Sequence, residues 1–431
     1  MKDLVDAPNE ASSFPSAVSV ANRIGRNAGW LLAARVGQQA ILLLFTALVA
    51  RQLGEVGLGQ LSWVTAVLYL GNVLSTFGLD TLLLRQIGEA RRTDSVPLAA
   101  ALLLELLLAV MFIAALLLLP FSGQSSQTVV GLRLYAGSLL PLAFLTLISA
   151  SLRGYEQMGW LAILTLGTAV LQVGGTAVLF AVGGGFVGLM GWLLAVQIFS
   201  AGFGWWLCRR VLPNFRLNWQ LLHWSTVQKL WQMGFWLALL VVTAVLLQRL
   251  GILLLGWLGT EAQTGQLAAA LRLVEAARLL PGAVMGAVFP VLARGRLEIG
   301  DRRLKISSLQ SPISNYRWGL AAYGFLAALA LTLLARPLVF LLFGVGYETA
   351  VALLRLLAWG VLPFTLSLPL SVELVVAGAE KRVLLATFAV LVGTAVLSTI
   401  GYSWFGLPGV ALSLVAGEWL LAVLLFAARR L

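Results

Sequence analysis

Leu132-Arg133-Leu134-Tyr135-Ala136-Gly137-Ser138-Leu139-Leu140-Pro141 recurs as Leu354-Arg355-Leu356-Leu357-Ala358-Trp359-Gly360-Val361-Leu362-Pro363, with leucines, arginine, alanine and proline at the same spacing. Three further matches fall in the same order. Leu53-Gly54 with Gly59-Gln60-Leu61 answers Leu258-Gly259 with Gly265-Gln266-Leu267. Gly154-x-Glu156-Gln157 answers Gly378-x-Glu380-Lys381, and Gly185-x-x-Gly188 with Arg209-Arg210 answers Gly406-x-x-Gly409 with Arg429-Arg430. One such match in a leucine-rich chain is chance, but four in one order make an internal repeat with an offset of roughly 205 to 224 residues.

The repeated unit is membrane helix. Of 431 residues, 60% are hydrophobic and 11% charged, and the mean hydropathy is +0.95. A soluble domain carries about 25% charged residues, so this chain cannot cover itself with polar surface in water. Spans of about 20 apolar residues fit at 28–50, 58–79, 97–120, 131–152, 159–181, 186–208, 233–257, 264–292, 317–343, 350–376, 383–402 and 406–427. These twelve predict an all-α polytopic membrane protein of two six-helix bundles. With an even number of spans, both repeats share one topology about an axis along the membrane normal, which leaves a cleft between two bundles, suited to alternating access. The expected organisation is a disordered tail at 1–26, an N-terminal bundle at 27–210, an interfacial linker at 211–231 and a C-terminal bundle at 232–431. Six tryptophans, Trp205, Trp206, Trp219, Trp224, Trp231 and Trp236, crowd the linker, as expected of rings anchored at headgroup depth.

A net charge of +12 would suggest nucleic acid in a soluble protein, but here the cations fall in short loops. With a cytoplasmic N-terminus, 21 of the Lys and Arg residues lie in inside segments and four (Arg51, Arg133, Arg336 and Arg355) outside. That split predicts both termini in the cytoplasm. Residues 1–26 lack the apolar core of a cleaved signal, so the first span should remain as an anchor. One cysteine, Cys208, and one histidine, His223, exclude an internal disulfide, a CxxC site and a histidine-rich metal centre. Gly183-Gly184-Gly185 joins two apolar runs with no strand before it, and no Walker motif follows, so neither a nucleotide nor any other cofactor is expected.

Trp30 to Arg35, Leu53-Gly54 before a Gly-x-Gly helix, Gly78-Leu79 before a basic loop, Phe289-Pro290, Leu342-Phe343-Gly344 with Tyr347, and Gly406-x-x-Gly409 together resemble the Wzx-type oligosaccharide flippases. These are polysaccharide biosynthesis proteins of the MATE-like multidrug, oligosaccharidyl-lipid and polysaccharide (MOP) exporter superfamily, and the likeness runs from residue 27 to 428. The resemblance implies two six-helix lobes around a central cationic cavity. It also implies transport, with no enzymatic step, of polyprenyl-pyrophosphate-linked glycans between leaflets of a bacterial inner membrane. Membrane lipids, a polysaccharide polymerase and glycosyltransferases are the expected partners. The same superfamily includes drug exporters, whose cavity should be dominated by carboxylates, and lipid II flippases, which generally have two more spans.

Moving such a lipid requires polar groups and countercharge in a wet cleft, because sugars and pyrophosphate cannot cross hydrocarbon bare. Arg272, Glu275 and Arg278 recur at i, i+3 and i+6 along one helix face of the eighth span. Either the arginines bind pyrophosphate and Glu275 tunes or gates them, or the three form an internal salt-bridge ladder. Arg35, Gln38 and Gln39 share a face of the first span, where they suit a phosphate and sugars or, for Arg35, snorkelling. Arg249 lies deep in the seventh span. Glu105 and Glu418 are the other deep acids, fit for an ion relay or for pairing with arginine. Arg133 and Arg355, equivalent in the repeat, suit a structural or outer-gate role, and Pro141, Pro281, Pro363 and Pro369 mark bends.

Overall fold

In this computed structural model, residues 17–90, 97–121, 123–212, 215–217, 224–298 and 310–430 are described, and their regular structure is helical throughout. The first repeat supplies α1 (Ala17–Thr76), α2 (Leu79–Ala90), α3 (Leu98–Leu118), α4 (Ser126–Ala136), α5 (Leu139–Gly154), α6 (Met158–Ala181) and α7 (Phe186–Val211). The second supplies α8 (Trp224–Leu258), α9 (Glu261–Glu298), α10 (Gln310–Leu333), α11 (Ala335–Phe343), α12 (Glu348–Leu357), α13 (Val361–Val376), α14 (Glu380–Phe405) and α15 (Leu407–Arg430). The connections α3–α4, α6–α7, α8–α9, α11–α12 and α14–α15 share one face, called distal below; the opposite, proximal face carries the end of α15.

Among the described residues, eight helices are long and apolar enough to cross a membrane, and two bent pairs raise the number to ten. The expected twelve differ from this in two places. α1 is two helices joined at Gly54, whose φ of 68° and ψ of −169° are non-helical and open to a residue without Cβ, so the expected spans 28–50 and 58–79 count there as one. α9, which carries Arg272, Glu275 and Arg278, lies outside the apolar set.

The decisive repeat maps onto matching breaks. Gly137-Ser138 separates α4 from α5 at a bend of 42°, and the 3₁₀ turn Ala358–Gly360 separates α12 from α13. Pro141 and Pro363 are each the third residue of the helix that follows. A proline ring is tolerated there because first-turn N–H groups have no partner within the helix.

Two expected boundaries shift. Residues 17–26, assigned to a disordered tail, are the first turns of α1, while 1–16 fall outside the described residues. Residues 224–231, assigned to the linker, begin α8, and Val227 and Leu230 are buried among α2, α3 and α5 of the first lobe. α8 therefore starts on one lobe and ends in the other. Of the linker tryptophans, Trp219 lies outside the described residues. Trp231 stacks on Phe77 at 4.2 Å, and Trp205 meets Phe215 edge-on at 5.0 Å.

The two cores interlock. Ala50 and Leu58 of α1 are buried among α9, α11, α12 and α15, and Ile252 and Ala268 of the second lobe are buried among α1, α3, α4 and α7. Large side chains such as Leu118 and Leu333 stand exposed on the perimeter, as expected where lipid, not protein, is the neighbour.

Candidate functional site

The charges of the eighth span divide into two clusters. On α9, Glu275 accepts from Arg272 at 3.0 Å and from Arg249 of α8 at 2.8 Å. The Arg249 guanidinium also lies 5.4 Å from the ring of Tyr69 on α1, so this cluster touches the first lobe. One and a half turns further on, Arg278 turns to other partners. It pairs with Glu418 of α15 at 2.8 Å, donates to the Gly360 carbonyl at 3.3 Å and sits 4.6 Å over the Phe364 ring. A small cavity beside it is lined by Gln248, Thr394 and Glu418 among aliphatic side chains.

Three guanidiniums face two carboxylates, so the five groups carry one net positive charge. Their side chains are 17–30% exposed, half-buried. Arg249 Nε, Arg278 Nε and Thr394 Oγ1 are buried without a hydrogen-bond partner. Buried donors of this kind are normally satisfied, so unspent ones suit an incoming acceptor. Guanidinium forks match phosphate oxygens bidentately. The ladder expected within α9 forms only in part: Glu275 neutralises Arg249 and Arg272, and Glu418 takes Arg278.

Other expected residues lie apart from these clusters. Gln38 is exposed and Gln39 half-buried on α1, and neither hydrogen-bonds among the described residues; the side chain of Arg35 lies outside them. Glu105 is 1% exposed on α3, and among the described residues neither carboxyl oxygen has a partner and no arginine pairs with it. Asp80 and Glu373, nearer the proximal face, pair with Arg153 at 3.9 Å and Arg429 at 3.0 Å. Arg133 and Arg355 are exposed and outside every ion pair among the described residues.

The distal ends of the lobes meet in a seam that the candidate residues did not include. Gln60 donates to Glu261 at 2.9 Å, and Gln266, its counterpart in the repeat, donates to Glu55, the counterpart of Glu261. Glu261 also accepts from Ser125 Oγ at 2.7 Å, the Ser125 amide at 3.1 Å and Thr128 Oγ1 at 2.5 Å, thereby capping α4 of the other lobe. Burial raises the Glu261 carboxyl, but these hydrogen bonds outweigh it and hold the group below the ordinary glutamate range. Arg51 of α1 reciprocates by donating to the Leu341 and Leu342 carbonyls at the end of α11, where a cation meets the negative end of the helix dipole. Between the two pairs the backbones touch. A Cβ on Gly59 would lie 1.7 Å from the Glu261 carbonyl oxygen, and one on Gly265 1.9 Å from that of Glu55. The match of Gly59-Gln60 with Gly265-Gln266 was the sequence signal for this seam.

Residues 24–296 match the polysaccharide biosynthesis protein family. The chain belongs to that family. No curated protein matches it in sequence. The fold resembles the inward-facing conformation of a multidrug resistance MATE family transporter of the MOP superfamily, with a TM-score of 0.75 at 18% identity, covering 93% of this chain and 97% of the other. An outward-facing structure of such a transporter gives 0.66 at 16% identity, covering 95% and 94%. The lipid II flippase MurJ, in an inward closed conformation, gives 0.69 at 13% identity, covering 93% and 87%. This member of the polysaccharide biosynthesis family is a multi-pass membrane protein with the MATE-like fold of the MOP superfamily.

Proposed function

We propose that the protein is a flippase that carries a polyprenyl-pyrophosphate-linked oligosaccharide from the inner to the outer leaflet of a bacterial cytoplasmic membrane. It works by alternating access of its two lobes, without enzymatic chemistry. The observation that carries this reading is the excess of guanidinium over carboxylate in the cluster that α8, α9 and α15 form, three against two. A charge at the bilayer centre costs about 2.5–3.5 kcal/mol on insertion scales, so a cationic cluster kept there has a partner to meet. A drug exporter for cations needs the opposite balance. Arg249, Arg272 and Arg278 hold the pyrophosphate while Glu275 and Glu418 set how tightly, and the prenyl chain remains in lipid. Gln38 and Gln39, unpartnered among the described residues, offer amides to the sugars, and Arg35 of the same helix is assigned to the phosphate. Glu105, buried in the first lobe, is assigned to ion coupling. The 21 to 4 distribution of cations makes the proximal face cytoplasmic.

The test is leaflet exchange in proteoliposomes. A fluorescent glycan on a polyprenyl pyrophosphate should cross at a protein-dependent rate, and the same glycan on an uncharged polyprenyl ether should cross at least tenfold more slowly, roughly the loss of one charge-assisted hydrogen bond. Equal rates for the two lipids would overturn the cationic-cleft reading.

A further inference from the structure

The repeat Gly59-Gln60 and Gly265-Gln266 lies apart from the charged clusters and forms a reciprocal contact between the lobes. Each lobe contributes one glycine, one glutamine and one glutamate, at Glu55, Gly59 and Gln60 and at Glu261, Gly265 and Gln266. Each glutamine is held by its own lobe at the start of a short helix. Gln60 Nε2 donates to Ser125 Oγ at 3.1 Å before α4; Gln266 donates to the Gly346 carbonyl and accepts from the Ala350 amide at 2.9 Å around the start of α12. The carboxylate that each glutamine reaches belongs to the opposite lobe.

From this geometry we infer that the Gln60–Glu261 and Gln266–Glu55 pairs are a two-part latch that holds the distal, outward side shut and releases when substrate leaves. Neutral amide-to-carboxylate bonds suit a latch. Each contributes modestly, because water replaces it on opening, so two shared by an internal twofold axis give a seam that is closed at rest and openable by a modest differential affinity. The glycines make the latch bistable. Their backbone contact excludes water when shut, and no side chain fills the gap part-way. Arg51 on the Leu341 and Leu342 carbonyls, and Gln124 on the Gly256 carbonyl, are the auxiliary contacts that part in the same movement.

This inference rests on the alternating-access reading, and its test adds no substrate, so the two fail separately. In a Cys208→Ala background, Ala268→Cys places a thiol on α9 at a position 2% exposed in the core of the other lobe. The rate at which a membrane-impermeant maleimide reaches it from the distal side reads seam opening. The double variant Gln60→Leu/Gln266→Leu should raise that rate by about a hundredfold or more, as the loss of two charge-assisted hydrogen bonds gives, and each single variant by less. Gln60→Glu alone sets two carboxylates face to face and should also open the seam, whereas Gln60→Glu with Glu261→Gln restores a donor and an acceptor and should close it again. Rescue by that exchange excludes misfolding as the cause of labelling. An unchanged labelling rate in the double leucine variant, or no rescue by the exchange, would overturn the latch.

Discussion

Arg278 is where charge and transport separate most cleanly. Arg278→Ala leaves Glu418 unpaired, a cost of about 1–3 kcal/mol, and should abolish leaflet exchange. Arg278→Ala with Glu418→Ala should recover the thermal stability and leave exchange absent; recovery of exchange as well would make the pair structural. Arg278→Lys should retain part of the activity, because it keeps the charge without the fork. Glu275→Gln has a different consequence, because its partners are Arg249 and Arg272. Two uncompensated guanidiniums should bind a pyrophosphate headgroup more tightly and release it more slowly, seen as a lower Kd with reduced exchange. If the pH dependence of exchange disappears at unchanged binding, Glu275 is an ion relay instead. The sequence put Arg272, Glu275 and Arg278 on one helix but not with their partners: Arg249 lies 26 residues from Glu275, and Glu418 comes from α15.

At the scale of elements, the lobes are joined by α1 against α9 at Gly59 and Gly265. Gly59→Ala puts a methyl group into backbone that cannot turn aside, so the seam must part; overpacking of this kind costs about 1–3 kcal/mol. The expected outcome is a lower Tm together with faster distal labelling, and Gly265→Ala should match it by symmetry. The Glu261 cap adds a pH dependence. Its carboxyl is depressed in the closed seam, so the stabilisation it gives is complete above the ordinary value of 4.5 and is lost as the outside pH falls through the depressed one. Distal labelling of the Ala268→Cys protein, taken relative to a fully exposed cysteine at the same pH because only the thiolate reacts, should therefore rise as the external pH drops below 4.5; a flat ratio would show that Glu261 does not hold the seam. The glycine-glutamine repeat was legible as a repeat. Its role was not, because which Gln meets which Glu depends on how two separately folded lobes dock.

For the whole molecule, under the proposed alternating access, the interlocked cores of the two lobes correspond to one end of the cycle. With the 21 to 4 distribution of cations, the proximal face should be the cytoplasmic one. Reporter fusions and cysteine labelling should accordingly find both termini and the segment from Arg294 to Lys305 inside, and a terminus found outside would reverse the direction of the cycle.

The sequence by itself determined the solvent, the class and the symmetry. Apolar runs need only length and composition to be membrane helix, and a repeat in one dimension becomes an axis in three. The paired breaks at Pro141 and Pro363 were legible for the same reason, since proline acts on its own turn. The tertiary structure alone decided which charges neutralise which, that Glu105 meets no arginine among the described residues, that α8 begins on the first lobe, and that Gln60 and Gln266 reach glutamates of the opposite lobe. Those outcomes depend on contacts between residues tens to hundreds of positions apart, set by helix packing, and local pattern does not encode them.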